Sequence, residues 1–211
     1  MGRAAARLSH GERTRREILD VAVQLGATEG LEGLTIGRLA DAVGLSKGGT
    51  YAHFGSKLSL QLATVETALT QFQEEVVAPA LQHPPGVEQL RAFTDGYFAY
   101  LERRRDRGGC FFTAAALEFD DRPGEVRDAL RAAVEARDAV IKGALGAAVE
   151  AKELPRTTDV DQLAFEVAAL CVGANVGHQL LRQSDALERA RRALDARLQQ
   201  LSYAALERRR K

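Results

Sequence analysis

A chain of 211 residues with 45% hydrophobic residues can bury a substantial core, and 29 Lys/Arg set against 29 Asp/Glu exclude both a disordered polyelectrolyte and a uniformly basic nucleic-acid coat. Two distant cysteines, Cys110 and Cys171, without a CxxC or a nearby histidine, argue against zinc and point to buried thiols in a reducing cytoplasm, with a redox role left open. No apolar leader follows the Arg-rich start, and the charge-free run from Val167 to Leu181 contains Asn175, His178 and Gln179, so no membrane span is expected.

The apolar spacing is three to four almost throughout, which predicts an all-α chain. Residues 1–57 carry eight Lys/Arg against six Asp/Glu, and the first sixteen hold Arg3, Arg7, Arg13, Arg15 and Arg16 against Glu12 alone. This basic arm is read as a tail with nonspecific phosphate contacts. A first helix is expected over about residues 13–28, with Ile18, Ala22 and Leu25 as its stripe. Thr35 is a good N-cap for a second helix that Gly44 ends in the left-handed region. A third helix starts at Ser46 and stops at Gly55, and Ser56 caps a fourth that runs to about Pro79. Ala40 is small where the second and third helices cross, and Leu39, Val43, Leu45 and Phe54 are the expected contacts that hold the third in place.

Past "HPPG", helices are expected over about residues 87–104 and through "GGCFFTAAALEF". A long amphipathic helix with Val126, Leu130, Val134, Ile141, Leu145 and Val149 follows. Thr158 with Asp161 resembles a capping box for the next helix, and the last helix carries Leu187, Leu194, Leu198, Leu201 and Ala205. The run from Val167 to Leu181 has small residues that admit a close neighbour, and with the last helix it looks like half of a four-helix bundle.

Residues 35–54 therefore form a helix, a glycine turn and a helix. The third helix tolerates Gly48 and Gly49 in its first turn, although each costs about 1 kcal/mol relative to alanine. Bare backbone there suits close approach to a groove. Ser46 and Lys47 stand at a helix N-terminus, which favours phosphate, and Tyr51, His53 and Lys57 add donors. Phosphate contacts would fix register, while Lys47, the glycine pair and Thr50 would face base edges.

The block "LTIGRLADAVGLSKGGTYAHFGSKLSL", residues 34–60, resembles the N-terminal domain of TetR-family transcriptional regulators. Thr35, Ala40, Gly44, Ser46, Lys47, Gly48, Tyr51, His53, Phe54 and Lys57 match the family pattern. Three residues depart from it. Thr50 replaces a core-facing apolar residue, Ala52 a larger phosphate-touching side chain, and Gly26 a phenylalanine whose loss is expected to weaken the small core. The resemblance implies a helix-turn-helix domain over residues 1–55 and a larger helical effector-binding and dimerisation domain over 56–211. It implies a cytoplasmic homodimer, paired through its last two helices, that binds a palindromic DNA operator as a repressor and is released by a largely apolar small molecule. Thr35, Arg38, Ser46, Lys47, Gly48, Gly49, Thr50, Tyr51, His53 and Lys57 are the expected DNA contacts. Aromatic residues concentrate between 93 and 119, which periodicity alone reads as core, and the resemblance implies Phe72, Phe93, Tyr97, Tyr100, Phe112, Glu118 and His178 as the effector contacts.

No cofactor or metal is called for. No GxSxG, HExxH, P-loop or GxGxxG is present, the four histidines are scattered, and "EFDD" before "RPG" reads as a helix end, so an enzyme is not expected. The remaining alternatives are a helical dimeric adaptor and a DNA-binding regulator without a small-molecule ligand.

Overall fold

Short polar side chains set the helix boundaries at the amino end. The computed structural model describes residues 10–208. The arm with Arg3 and Arg7 lies outside the described residues, as do the side chains of His10, Tyr203 and Ala205. Helix α1 is His10–Glu29, α2 is Ile36–Val43 and α3 is Lys47–Phe54. Thr35, in extended backbone, accepts a hydrogen bond from the Arg38 N–H at 3.1 Å, and Gly44 closes α2 at φ 69°. Ser46 accepts from the Gly49 N–H at 3.0 Å, and Gly55 closes α3 at φ 70°. Ser56 then caps α4, Lys57–Phe72, by accepting from the Ser59 N–H at 3.0 Å. Caps of this kind are worth about 1 kcal/mol each, which matters for eight-residue helices that cannot stand alone.

Helix α4 continues through a π-helical turn, Gln73–Val77, into the short α5, Ala78–Ala80. Helices α6 (Val87–Arg103), α7 (Phe111–Phe119), α8 (Glu125–Glu150), α9 (Val160–Gln179) and α10 (Ala186–Arg208) complete an all-α chain, with no strand among the described residues. The capping box expected at Thr158 and Asp161 does not form. Asp159 is the N-cap instead, accepting from the Gln162 N–H at 2.9 Å, while Asp161 pairs with Lys142. The carboxylate one residue after Thr158 already satisfies the first helical turn.

Helix α1 packs on α4, α2 on α3 and α1, and α7 on both α1 and α8. Gly26 does not weaken this junction. A Cβ at Gly26 would stand 2.9 Å from the Phe111 ring, so the missing side chain is what lets α7 bury Phe111 against α1. The loop before α7 comes equally close: at Gly108, φ 84°, a Cβ would lie 2.4 Å from the Ala27 carbonyl oxygen. Leu39 and Ala40 are fully buried between α2 and α3, whereas Leu45 is 40% exposed and does not hold α3 as expected.

The C-terminal core centres on Phe72. Its ring makes edge contacts with Phe93, Tyr97, Tyr100 and Phe112 at centroid distances of 5.7–6.4 Å. Such pairs add about 0.5–1.5 kcal/mol each beyond area burial. By length and composition alone α9 is apolar enough to cross a membrane, which the sequence reading did not expect. It packs instead between α8 and α10.

Candidate nucleic-acid interface and effector cavity

Helix α3 turns an open flank outward. Ser46, Lys47, Gly48, Gly49 and Tyr51 are exposed, Tyr51 by 57%, and His53 is half-buried beside Phe54. A Cβ built on Gly48 meets nothing within 4 Å, so no packing inside the chain requires glycine there. Lys47 has no ion-pair partner among the described residues; its side chain leans against Gly37, whose added Cβ would lie 3.4 Å from Cε. The exposed end of α3 therefore combines a cation, a phenol and bare backbone, groups that contact phosphates and base edges.

Three of the expected contacts sit differently. Thr50 is fully buried and donates its hydroxyl to the Ser46 carbonyl at 3.2 Å, so it faces the domain core and not bases; its methyl fills the place of an apolar side chain. Arg38 lies on the surface in a two-pronged pair with Glu29, whose hydrogen bonds hold that carboxyl below its usual range. Lys57 bonds Glu32 at 2.7 Å, which likewise lowers the Glu32 carboxyl. Both cations thus already hold an internal partner. Thr35 is exposed, with its oxygen already engaged as a cap.

Of the aromatic residues, Phe72, Tyr97 and Phe112 line a small cavity. A space of about 50 Å3 is lined by Leu69, Phe72, Gln73, Val77, Tyr97, Cys110, Phe112, Ala133, Val134, Ala136, Arg137 and Val140. Phe93 and Tyr100 lie behind it as buried supports of Phe72. Burial raises the Tyr97 phenol well above its ordinary range and pushes the Cys171 thiol up to about 12, so neither ionises near neutrality. Arg137 was missed by the sequence reading, since one arginine on an amphipathic helix carries no signal of its direction.

Glu118 and His178 are not cavity residues. Glu118 reaches from the end of α7 to the α1–α2 turn, where its carboxylate accepts from the N–H groups of Leu31 at 2.7 Å and Glu32 at 3.1 Å. Gly30, at φ 90°, leaves room for it. Gln61 of α4 donates to the Leu31 carbonyl at 2.8 Å, so α4 and α7 grip the same turn. Helix α7 thus has Phe112 in the cavity and Glu118 on the α1–α2 turn. His178 is buried in α9 with neither ring nitrogen hydrogen-bonded among the described residues, and burial together with Arg105 and Arg182 lowers its pKa against the pull of Glu102.

A third surface lies between α9 and α10. An apolar groove of about 650 Å3 is lined by Phe165, Leu170, Gly173, Gly177, Ala190 and Ala193 among others. Phe165 is 70% and Leu180 is 76% exposed, an unusual display of apolar area for a helix pair that is tied internally by Arg197 and Glu166 at 2.6 Å.

Residues 18–64 match the bacterial regulatory proteins of the tetR family, and residues 86–194 match the tetracyclin repressor-like C-terminal domain. A TetR transcriptional regulator from Chloroflexus aurantiacus J-10-FL has 30% identity and a TM-score of 0.82, covering 90% of this chain and 96% of its own. AibR, solved with isovaleryl coenzyme A and operator DNA, shares the fold at 23% identity and TM-score 0.64, over 76% of this chain and 85% of its own. The HTH-type transcriptional repressor AcnR of Corynebacterium efficiens is 40% identical over 63 residues, 30% of this chain, so the match spans only about a third (34%) of that relative's length.

Proposed function

We propose a function from one premise: this chain belongs to the TetR family of bacterial transcriptional regulators, DNA-binding proteins and not enzymes. The reading is a homodimeric repressor that binds a palindromic operator and lets go when a small molecule fills its C-terminal domain. Residues 1–55 are assigned to DNA and residues 56–211 to effector and pairing. Repression follows the AcnR likeness, and ligand response follows the pattern of AibR, which was solved with both a ligand and operator DNA.

The observation that carries the DNA assignment is the open flank of α3. Gly48 stands in empty space on a helix that would be more stable with alanine, and Lys47 projects beside it without an ion-pair partner among the described residues. The contacts proposed are Lys47, Gly48, Gly49 and Tyr51 with the groove, and Thr35, Ser46 and His53 with phosphates. Arg38 and Lys57 join after leaving Glu29 and Glu32. Pairing through the α9–α10 groove would cover Phe165 and Leu180 and set two α3 helices about 34 Å apart, one turn of DNA.

Gating would run along α4 and α7, because both border the cavity and both hold the α1–α2 turn through Gln61 and Glu118. An effector with about 100-fold preference for the non-binding arrangement would supply about 2.7 kcal/mol of coupling. Selecting binding sites from random duplex DNA tests the reading. A two-fold symmetric sequence with half-sites about ten base pairs apart is expected; failure to enrich any sequence would refute it.

A further inference from the structure

The cavity contains one charge. Arg137, on α8, lines it among mostly apolar neighbours such as Leu69, Phe72, Val77, Phe112 and Val140, with Gln73 and Tyr97 as the neutral polar members, and its side chain is only 16% exposed. Its Nε and Nη2 both donate to a single oxygen, Oδ1 of the adjacent Asp138, at 2.9 and 2.7 Å. Nη1 makes no hydrogen bond among the described residues, and Asp138 itself is 37% exposed. A guanidinium held mostly out of water against apolar walls, with one edge engaged, is built to take a planar anion on its other edge.

Aromatic rings alone would suit a cation equally well through their faces. Arg137 reverses that preference, because a second positive charge beside it would be repelled with little water to screen the pair. A neutral apolar molecule would leave the guanidinium desolvated and no better bonded.

The cavity also has a yielding wall. Gln73 and Val77, the first and last residues of the π-helical turn in the α4–α5 segment, both line it. Such turns are frequent at functional sites. At about 50 Å3 the space must grow toward the several hundred Å3 that a small-molecule ligand needs. A ligand can gain that room by resetting the π turn, which shifts α4 and with it the grip of Gln61 on the α1–α2 turn.

We propose that this cavity takes an apolar monocarboxylate, with the hydrocarbon tail among Phe72, Phe112 and Val140 and the carboxylate on Arg137. The proposal rests on the ligand-gated reading above and narrows it to one chemical class. Asp138 gives up its bonds to Arg137 and turns to water when the ligand carboxylate arrives.

Three matched series of about four to ten carbons test it on the full chain: straight-chain carboxylates, their primary amides, and alkyltrimethylammonium salts. Thermal melting reads binding, and release of the selected operator reads gating. Carboxylates alone are expected to raise the melting temperature and release DNA. R137Q should weaken the carboxylate response about tenfold or more, R137K should keep part of it, and D138N should strengthen it about three- to tenfold by removing the competing negative charge. Equal binding of amides, binding of the ammonium series, an undiminished response in both R137Q and R137K, or no response to carboxylates overturns the assignment. Melting needs no DNA, so a failure of operator binding would remove the regulatory reading and leave this test standing.

Discussion

Helix α3 and the aromatic cluster around Phe72 use their residues in opposite ways. The cluster hides nearly everything: Phe93, Tyr97, Phe98, Tyr100 and Phe111 are all at or below 2% exposure, and Phe72 meets Phe93, Tyr97, Tyr100 and Phe112 edge to face. Helix α3 buries only Thr50 and Phe54, and spends two of its eight positions on glycine. One region is optimised for its own stability, the other keeps stability back to leave a surface for a partner. Changes in the first should therefore register in melting, and changes in the second in binding.

The largest effect should come from a second outward surface, the α9–α10 groove. Phe165→Glu places a charge where the two copies would meet. Sedimentation should show monomers, and operator affinity should fall about 10²–10⁴-fold as the two half-sites lose their linkage, with the monomer melting almost unchanged. A variant that stays dimeric would move the pairing surface elsewhere. Next, Glu118→Ala strips the acceptor from two backbone N–H groups at the α1–α2 turn. It should cost about 1–3 kcal/mol, and the Leu31 and Glu32 amides should exchange faster with solvent. Slow, unchanged exchange at these amides would dismiss the latch.

Gly48→Ala sharpens the contrast because its two effects oppose one another. The fold should gain up to about 1 kcal/mol while operator binding weakens. If both improve, the glycine does not serve DNA. The smallest effect belongs to the inward class. The His178 pKa is depressed, so the unfolded chain binds its proton better than the folded one. Its contribution is complete above the ordinary value of about 6.5 and is lost as pH falls through the lower folded value. Melting temperature followed from about pH 8 to 5 should fall less in His178→Gln than in the parent.

What the sequence disclosed was chiefly local. Thr35, Ser46 and Ser56 could be placed because their side chains cap a backbone N–H three residues on, and Gly44 and Gly55 because a residue at positive φ ends a helix, whatever surrounds them. The aromatic stretch from 93 to 119 was legible as a cluster, but it was read as effector contacts, whereas Phe93 and Tyr100 are buried supports of Phe72. Features that depend on distant neighbours were hidden. Thr50 looked like a polar donor on a recognition helix, yet its burial is decided by the helices on which α3 packs. Glu118 looked like a pocket residue or a helix end, and only the approach of α7 to the α1–α2 turn, 86–87 residues away in the chain, shows its carboxylate holding two N–H groups. Gly26 looked like a loss to the core until Phe111 was seen to fill the space it leaves. Arg38 and Lys57 belonged to the DNA surface by position, and their pairing with Glu29 and Glu32 could not be read from spacing.

The central claim is that the open flank of α3 meets DNA through Lys47. Operator affinity measured against salt concentration, for the parent and for Lys47→Ala, tests it most directly. Each chain contributes one Lys47, so the variant should bind about 10- to 100-fold more weakly, and where the lysine meets phosphate its log-log salt slope should be shallower by about one per chain. Identical affinities and slopes for the two proteins would contradict the account.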